Sequence, residues 1–86
     1  MYGGIFSRRA ERAYLKLQQR EAKRIKEAII KLQNEPRCAG TIKLENAPVG
    51  VYRYRVGNYR IIFDINDNHK VLEILDITKR DERTYK

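Results

Sequence analysis

The sequence predicts an α+β domain: a short N-terminal strand, a two-helix hairpin, and then a three- to four-stranded antiparallel sheet covered on one face by the helices. Three observations carry this. Residues 51–63 alternate in character on either side of Gly57-Asn58, two stretches before them repeat apolar residues at helical spacing, and a Val/Leu/Ile-rich run over 70–77 follows the turn-forming residues Asn66-Asp67-Asn68.

The hairpin fixes the rest. Gly57-Asn58 suits a two-residue turn of the primed kind, because Gly reaches positive φ freely and Asn tolerates it. Counting outward, Val56 opposes Tyr59, Arg55 opposes Arg60, Tyr54 opposes Ile61, Arg53 opposes Ile62 and Tyr52 opposes Phe63. Side chains alternate across a strand, so Tyr52, Tyr54, Val56, Tyr59, Ile61 and Phe63 form one face, the core face. Arg53, Arg55 and Arg60 share the other. Like charges directly opposed on a sheet cost about 0.2–1 kcal/mol, so folding gains nothing from the Arg55/Arg60 pair. Scattered surface arginines would spread into water and need no explanation. Three converging on one exposed sheet face make a site for a polyanion, most simply a phosphate backbone.

Taken in order, the chain begins with Met1–Phe6, whose Tyr2, Ile5 and Phe6 read as a first strand. Ser7 is placed to cap a helix. From Arg8 to about Gln19, Ala10, Ala13, Tyr14 and Leu17 form an apolar stripe, and between about Arg20 and Gln33 a second stripe comprises Ala22, Ile25, Ala28, Ile29 and Leu32. Gln18-Gln19-Arg20-Glu21 contains neither Gly nor Pro, so one bent helix also fits the pattern; two helices suit so small a domain better, since one straight helix would project beyond it. Asn34-Glu35-Pro36 ends the second helix. Thr41–Leu44 alternates as a short strand, and Ala47-Pro48-Val49-Gly50 turns into the hairpin. If Asp67-Asn68 is a two-residue loop, Leu72 faces Phe63 and Ile74 faces Ile61, with Val71, Glu73 and Leu75 on the arginine face. Residues 78–86 are a charged terminal stretch of the kind that is usually solvated.

Eighty-six residues suffice for one domain, 1–86, with a single modest core. The net charge of +8 and pI near 9.9 favour nucleic acid, an anionic surface or an acidic protein partner. No apolar run approaches the roughly 20 residues of a spanning helix and no signal-peptide core is present, so no membrane association and a cytoplasmic location are expected. One cysteine, Cys38, and one histidine, His69, leave no disulfide and no metal site of familiar spacing, and no cofactor is expected. Cys38 reads as a loop bystander and His69 as an exposed turn residue. Gly-rich phosphate loops, Ser–His pairs and clustered carboxylates are all missing from the sequence. What remains is cationic. Cleavage of RNA by its own 2′-hydroxyl can be promoted by arginines around the phosphate, although a group with pKa above about 12 is a poor proton acceptor.

The segment Gly50-Val51-Tyr52-Arg53-Tyr54-Arg55-Val56-Gly57-Asn58-Tyr59-Arg60-Ile61-Ile62, with the later Lys79-Arg80 and Tyr85, resembles the RelE/ParE superfamily of toxin–antitoxin toxins. The helix pair and the Leu44 to Gly50 lead-in match in order and length, so the resemblance spans essentially the whole chain and implies a RelE-like fold. RelE-like members are ribosome-dependent endoribonucleases that cut messenger RNA in the ribosomal A site and inhibit translation. ParE-like members share the fold and poison DNA gyrase. Both are held inactive by a cognate antitoxin, here expected to be acidic. By the same resemblance, Arg53 and Arg55 stand where the nucleases carry two basic residues that assist deprotonation of the 2′-hydroxyl. Arg60 matches the arginine on the scissile phosphate, Arg80 the arginine just after the last strand, and Tyr85 the C-terminal tyrosine that stacks on a base. Lys43, Lys79 and Arg83 are further expected RNA contacts. The sequence departs from the pattern in carrying arginine where some members have lysine, and in showing no final helix. Retention of the whole basic set points to the nuclease branch; the alternatives are a gyrase inhibitor and a non-catalytic basic RNA- or ribosome-binding module.

Overall fold

Residues 1–44 and 51–79 are described by the computed structural model. Strand β1 (Gly3–Phe6) leads into helices α1 (Arg8–Leu15) and α2 (Gln19–Asn34), followed by β2 (Thr41–Lys43), β3 (Val51–Val56), β4 (Tyr59–Asn66) and β5 (Val71–Lys79). The five strands form one sheet in the order β1-β5-β4-β3-β2. All neighbours are antiparallel except β1, which lies parallel to β5 with Phe6 beside Ile74. The expected turn at 47–50 lies outside the described residues.

Ser7 caps α1 as anticipated: its Oγ accepts from the Ala10 amide at 3.1 Å while donating to the Leu75 carbonyl at 2.7 Å, so one hydroxyl fixes the helix start to β5. Helix α1 ends at Leu15, four residues earlier than periodicity suggests. Lys16 and Leu17 close the helix with bonds to the Ala13 and Tyr14 carbonyls, and Gln18 turns to an extended conformation, φ −68° and ψ 156°. Two helices therefore form without Gly or Pro between them. The reason is tertiary: the stripes of both helices must meet the same sheet, and the break allows Leu17 as well as Ile25, Ile29 and Leu32 to pack on it.

The β3–β4 register agrees with the count from the turn at every pair from Val56↔Tyr59 to Tyr52↔Phe63. Within this turn only Gly57 takes positive φ, at 58°, so the turn follows the type II′ pattern and Asn58 is not left-handed. The β4–β5 register differs from expectation. The loop comprises four residues, Asp67–Lys70, closed by the pair Asn66↔Val71; Phe63 opposes Ile74 and Ile65 opposes Leu72. Lys70 takes the left-handed conformation at φ 56°, and Asn66 Oδ1 accepts from the His69 amide at 3.0 Å. A slip of two residues preserves the faces, which is why Leu72 and Ile74 are buried as expected. A bulge at Leu75 then changes the parity. Beyond it Ile77 opposes Ile61 and Asp76 opposes Ile62, so the bulge keeps Ile77 in the core and Asp76 out of it.

The core lies between helices and sheet. Phe63, Ile25, Leu32, Ile61, Leu72 and Ile74 are fully buried, each contributing about 1.5–3 kcal/mol. Against these contributions, repulsion of about 0.2–1 kcal/mol between opposed arginines is easily carried. Cys38 is buried within the core cluster, with Sγ 3.8 Å from Thr41 Oγ1; this is a packing role.

A candidate nucleic-acid interface on the open sheet face

The helices pack on the tyrosine face, leaving the opposite face of the sheet open. There Arg53 and Arg55 on β3 and Arg60 on β4 line a concavity of about 210 Å³ together with Gly40 and Ile42. Arg53 and Arg60 are half-buried and Arg55 is exposed. Arg55 Nε donates to the Gly57 carbonyl at 3.2 Å, which draws its guanidinium toward the hairpin turn. Because Val56 and Tyr59 flank a two-residue turn, Arg55 and Arg60 occupy the next, non-hydrogen-bonded pair, where side chains approach most closely. The arrangement offers planar forks of donors to an anion, and the described residues lining it include no histidine, carboxylate or thiol.

The other wall was not anticipated. Strand β2 pairs with β3 so that Ile42 opposes Arg53, placing a 49 % exposed apolar side chain beside the guanidiniums. Alternation of Thr41-Ile42-Lys43 shows that Ile42 faces away from its neighbours; it does not show which strand lies alongside. Gly40 has φ +99°, and a Cβ there would lie 3.2 Å from Tyr54 Cε1, so backbone geometry and the Tyr54 ring both favour glycine.

The expected RNA contacts are dispersed. Lys43 opposes Tyr52 and Lys79 opposes Tyr59, which puts both in register with the tyrosine face; both are exposed. Arg80, Arg83 and Tyr85 lie outside the described residues. His69 is exposed in the β4–β5 loop.

The loop leading to Gly40 is anchored behind the sheet. Arg37 makes a two-pronged ion pair with Asp67 at 3.0 and 3.2 Å and lies over the Tyr52 ring at 5.7 Å, while Tyr2 Oη donates to Asp67 at 2.7 Å. The Arg37 guanidinium, and after it the Tyr2 hydroxyl, hold the Asp67 carboxyl down at about 2. That same bond to Asp67 raises the Tyr2 phenol. Tyr52 and Tyr54 stay on the helix side, Tyr52 stacked on Phe63 and Tyr54 accepting from Lys31 Nζ at 3.2 Å.

Residues 5–84 match the profile of the ParE toxin of the type II toxin–antitoxin system parDE. The chain belongs to this family. It is a toxin of the RelE/ParE superfamily with a RelE-like fold. Among solved structures, the toxin–antitoxin complex RelBE2 of Mycobacterium tuberculosis superposes with a TM-score of 0.82 at 29 % identity, over 92 % of this chain and 98 % of that one. The archaeal RelE–RelB complex from Pyrococcus horikoshii gives 0.81 at 29 % identity, over 94 % and 97 %. The isolated E. coli RelE toxin shares the fold, with a TM-score of 0.82 over 95 % of this chain and 87 % of that one, at 18 % identity. No curated protein sequence matches the chain. Among the described residues of the toxin, no helix is long and apolar enough to cross a membrane and no group of three or more His, Cys, Asp or Glu is placed to hold a metal ion.

Proposed function

We propose that this toxin is a ribosome-dependent endoribonuclease that cuts messenger RNA in the A site of translating ribosomes in the cytoplasm, and that an acidic cognate antitoxin restrains it. The single observation supporting this most is the convergence of Arg53, Arg55 and Arg60 on one groove of the open sheet face. In the reaction a 2′-hydroxyl attacks the adjacent phosphorus in line, charge builds on the non-bridging oxygens, and the 5′-oxygen leaves. Guanidiniums pre-set around the phosphate stabilise that charge more than the ground state, an effect worth about 10²–10³ in rate per donor at other active sites. Arg60 holds the phosphate; Arg53 and Arg55 flank the attacking hydroxyl. An arginine cannot take up the proton, so the acceptor comes from the substrate or the ribosome, and this gives cleavage its dependence on the ribosome. The antitoxin reading rests on the M. tuberculosis and P. horikoshii relatives, both of which are toxin–antitoxin complexes.

The ParE family match favours a second reading, inhibition of DNA gyrase. Expression without antitoxin separates the two. The nuclease reading expects growth arrest with messengers cut within translated codons and supercoiling unchanged. Arrest with intact messengers and accumulated gyrase–DNA complexes would establish the second reading, and salt-sensitive ribosome association without cut product would leave a binding module.

A further inference from the structure

Charge on the open sheet face is partitioned. Arg53, Arg55 and Arg60 occupy the end near the Gly57-Asn58 turn; at the other end Asp64 opposes Glu73 across β4 and β5. These carboxylates, with Ile5 and Val71, border a separate concavity of about 340 Å³. A polyanion laid along β4 from Arg60 would pass Ile62 and meet both of them. Turned toward β5, it would meet Asp76, which opposes Ile62, accepts from the Ile77 amide at 2.8 Å and pairs with Arg9 at 3.8 Å. Across β3 toward β2 no described carboxylate stands in the way, and the residue opposite Arg53 is Ile42.

We propose that RNA crosses this sheet transversely, from β4 over β3 to the β2 edge, with its phosphate on the arginines and the adjoining nucleobase seated on Ile42 and the Gly40 backbone. The inference rests on the nuclease reading and adds to it the path of the strand and the contact made by the base. Isoleucine has no donor or acceptor, so this seat senses the presence of a base rather than its hydrogen-bonding edge, and specificity of the readout kind must come from elsewhere. Gly40 at this edge is fixed by its own backbone and by the Tyr54 ring on the helix side. Any side chain at residue 40 would be strained at φ +99° and would press on Tyr54.

The test uses full-length toxin and a short single-stranded RNA carrying a 2′-O-methyl group at the cleavage position, so that binding is read without cutting. An abasic residue is moved through the RNA one position at a time. For wild-type toxin one position should weaken binding about tenfold when its base is removed, in line with one apolar contact in a site. Ile42→Ser should weaken the intact RNA by the same factor and abolish the response to the abasic residue, with pyrophosphate binding unchanged. Arg53→Gln should weaken intact and abasic RNA equally. Ile30→Ser, an exposed isoleucine on α2, is the matched control and should change nothing. Wild-type toxin that binds RNA with no abasic-sensitive position, or Ile42→Ser that retains one, would overturn the base seat while leaving the arginine site intact. Wild-type toxin that neither binds RNA nor cuts messengers would overturn the nuclease reading itself.

Discussion

Replacing Arg55 with Gln sets stability and activity moving in opposite directions. Arg55 and Arg60 face each other at a non-hydrogen-bonded position of the β3–β4 ladder. For two like unit charges roughly 7 Å apart at a surface, Coulomb's law in water gives about 0.6 kcal/mol of repulsion, reduced to about 0.2 kcal/mol at physiological ionic strength. Cross-strand pair measurements bracket this at about 0.2–1 kcal/mol. Among the described residues the bond that the substitution removes, Arg55 Nε to the Gly57 carbonyl, is exposed, and water replaces it. Arg55→Gln should therefore leave the domain unchanged or more stable, by about 1–6 °C in midpoint for a chain of this size, with the gain shrinking as salt rises. Cleavage should fall by about ten- to a thousand-fold through lost transition-state stabilisation. Thermal melts at 20 and 500 mM salt, paired with primer-extension mapping of cut messengers, measure both. A variant that melts lower and cuts normally, or full activity in Arg55→Gln/Arg60→Gln, would refute the assignment of this face as the active site. The same swap at Arg8 or Lys16, exposed residues of α1 and its C-cap, should change neither property.

Other outcomes follow from the scaffold. Asp67 is held at about 2, below its usual 3.8, so its contribution is complete above pH 4 and is lost as pH falls from about 4 through 2; Asp67→Asn should flatten that part of a melting-temperature profile and leave the profile above pH 6 parallel to wild type. Gly40→Ala should cost about 1–2 kcal/mol in urea unfolding, because an L residue is strained at φ +99° and its Cβ would crowd Tyr54. Ser7→Ala removes both the α1 cap and the bond to the Leu75 carbonyl and should cost about 1–2 kcal/mol by the same measurement. If an acidic antitoxin segment is captured by the arginine face, its association rate should fall steeply with ionic strength in stopped-flow mixing, whereas a rate indifferent to salt would exclude charge-led capture.

Much of this protein is determined locally. A two-residue turn at Gly57-Asn58 and a period of two fix the β3–β4 register, and with it the separation of Tyr52, Tyr54, Ile61 and Phe63 from Arg53, Arg55 and Arg60. The cationic group could be read before any tertiary contact was known because every residue in it lies within eight positions of its partners. The N-cap at Ser7 and both helical stripes are legible for the same reason. The β4–β5 register was less accessible, since Asn66-Asp67-Asn68-His69-Lys70 suits loops of two or four residues equally well. The three-residue step from Ile74 to Ile77 was the one sequence sign of the bulge. Only the tertiary structure decided where α1 stops, because no residue between Leu15 and Gln19 breaks a helix and the break serves packing on a shared sheet. It alone brought β1 alongside β5 and Ile42 alongside Arg53. Edge strands of three or four residues carry too little pattern to name their neighbour; their position is set by which backbone groups remain unpaired once the central hairpin has formed, and that is a property of the assembled sheet.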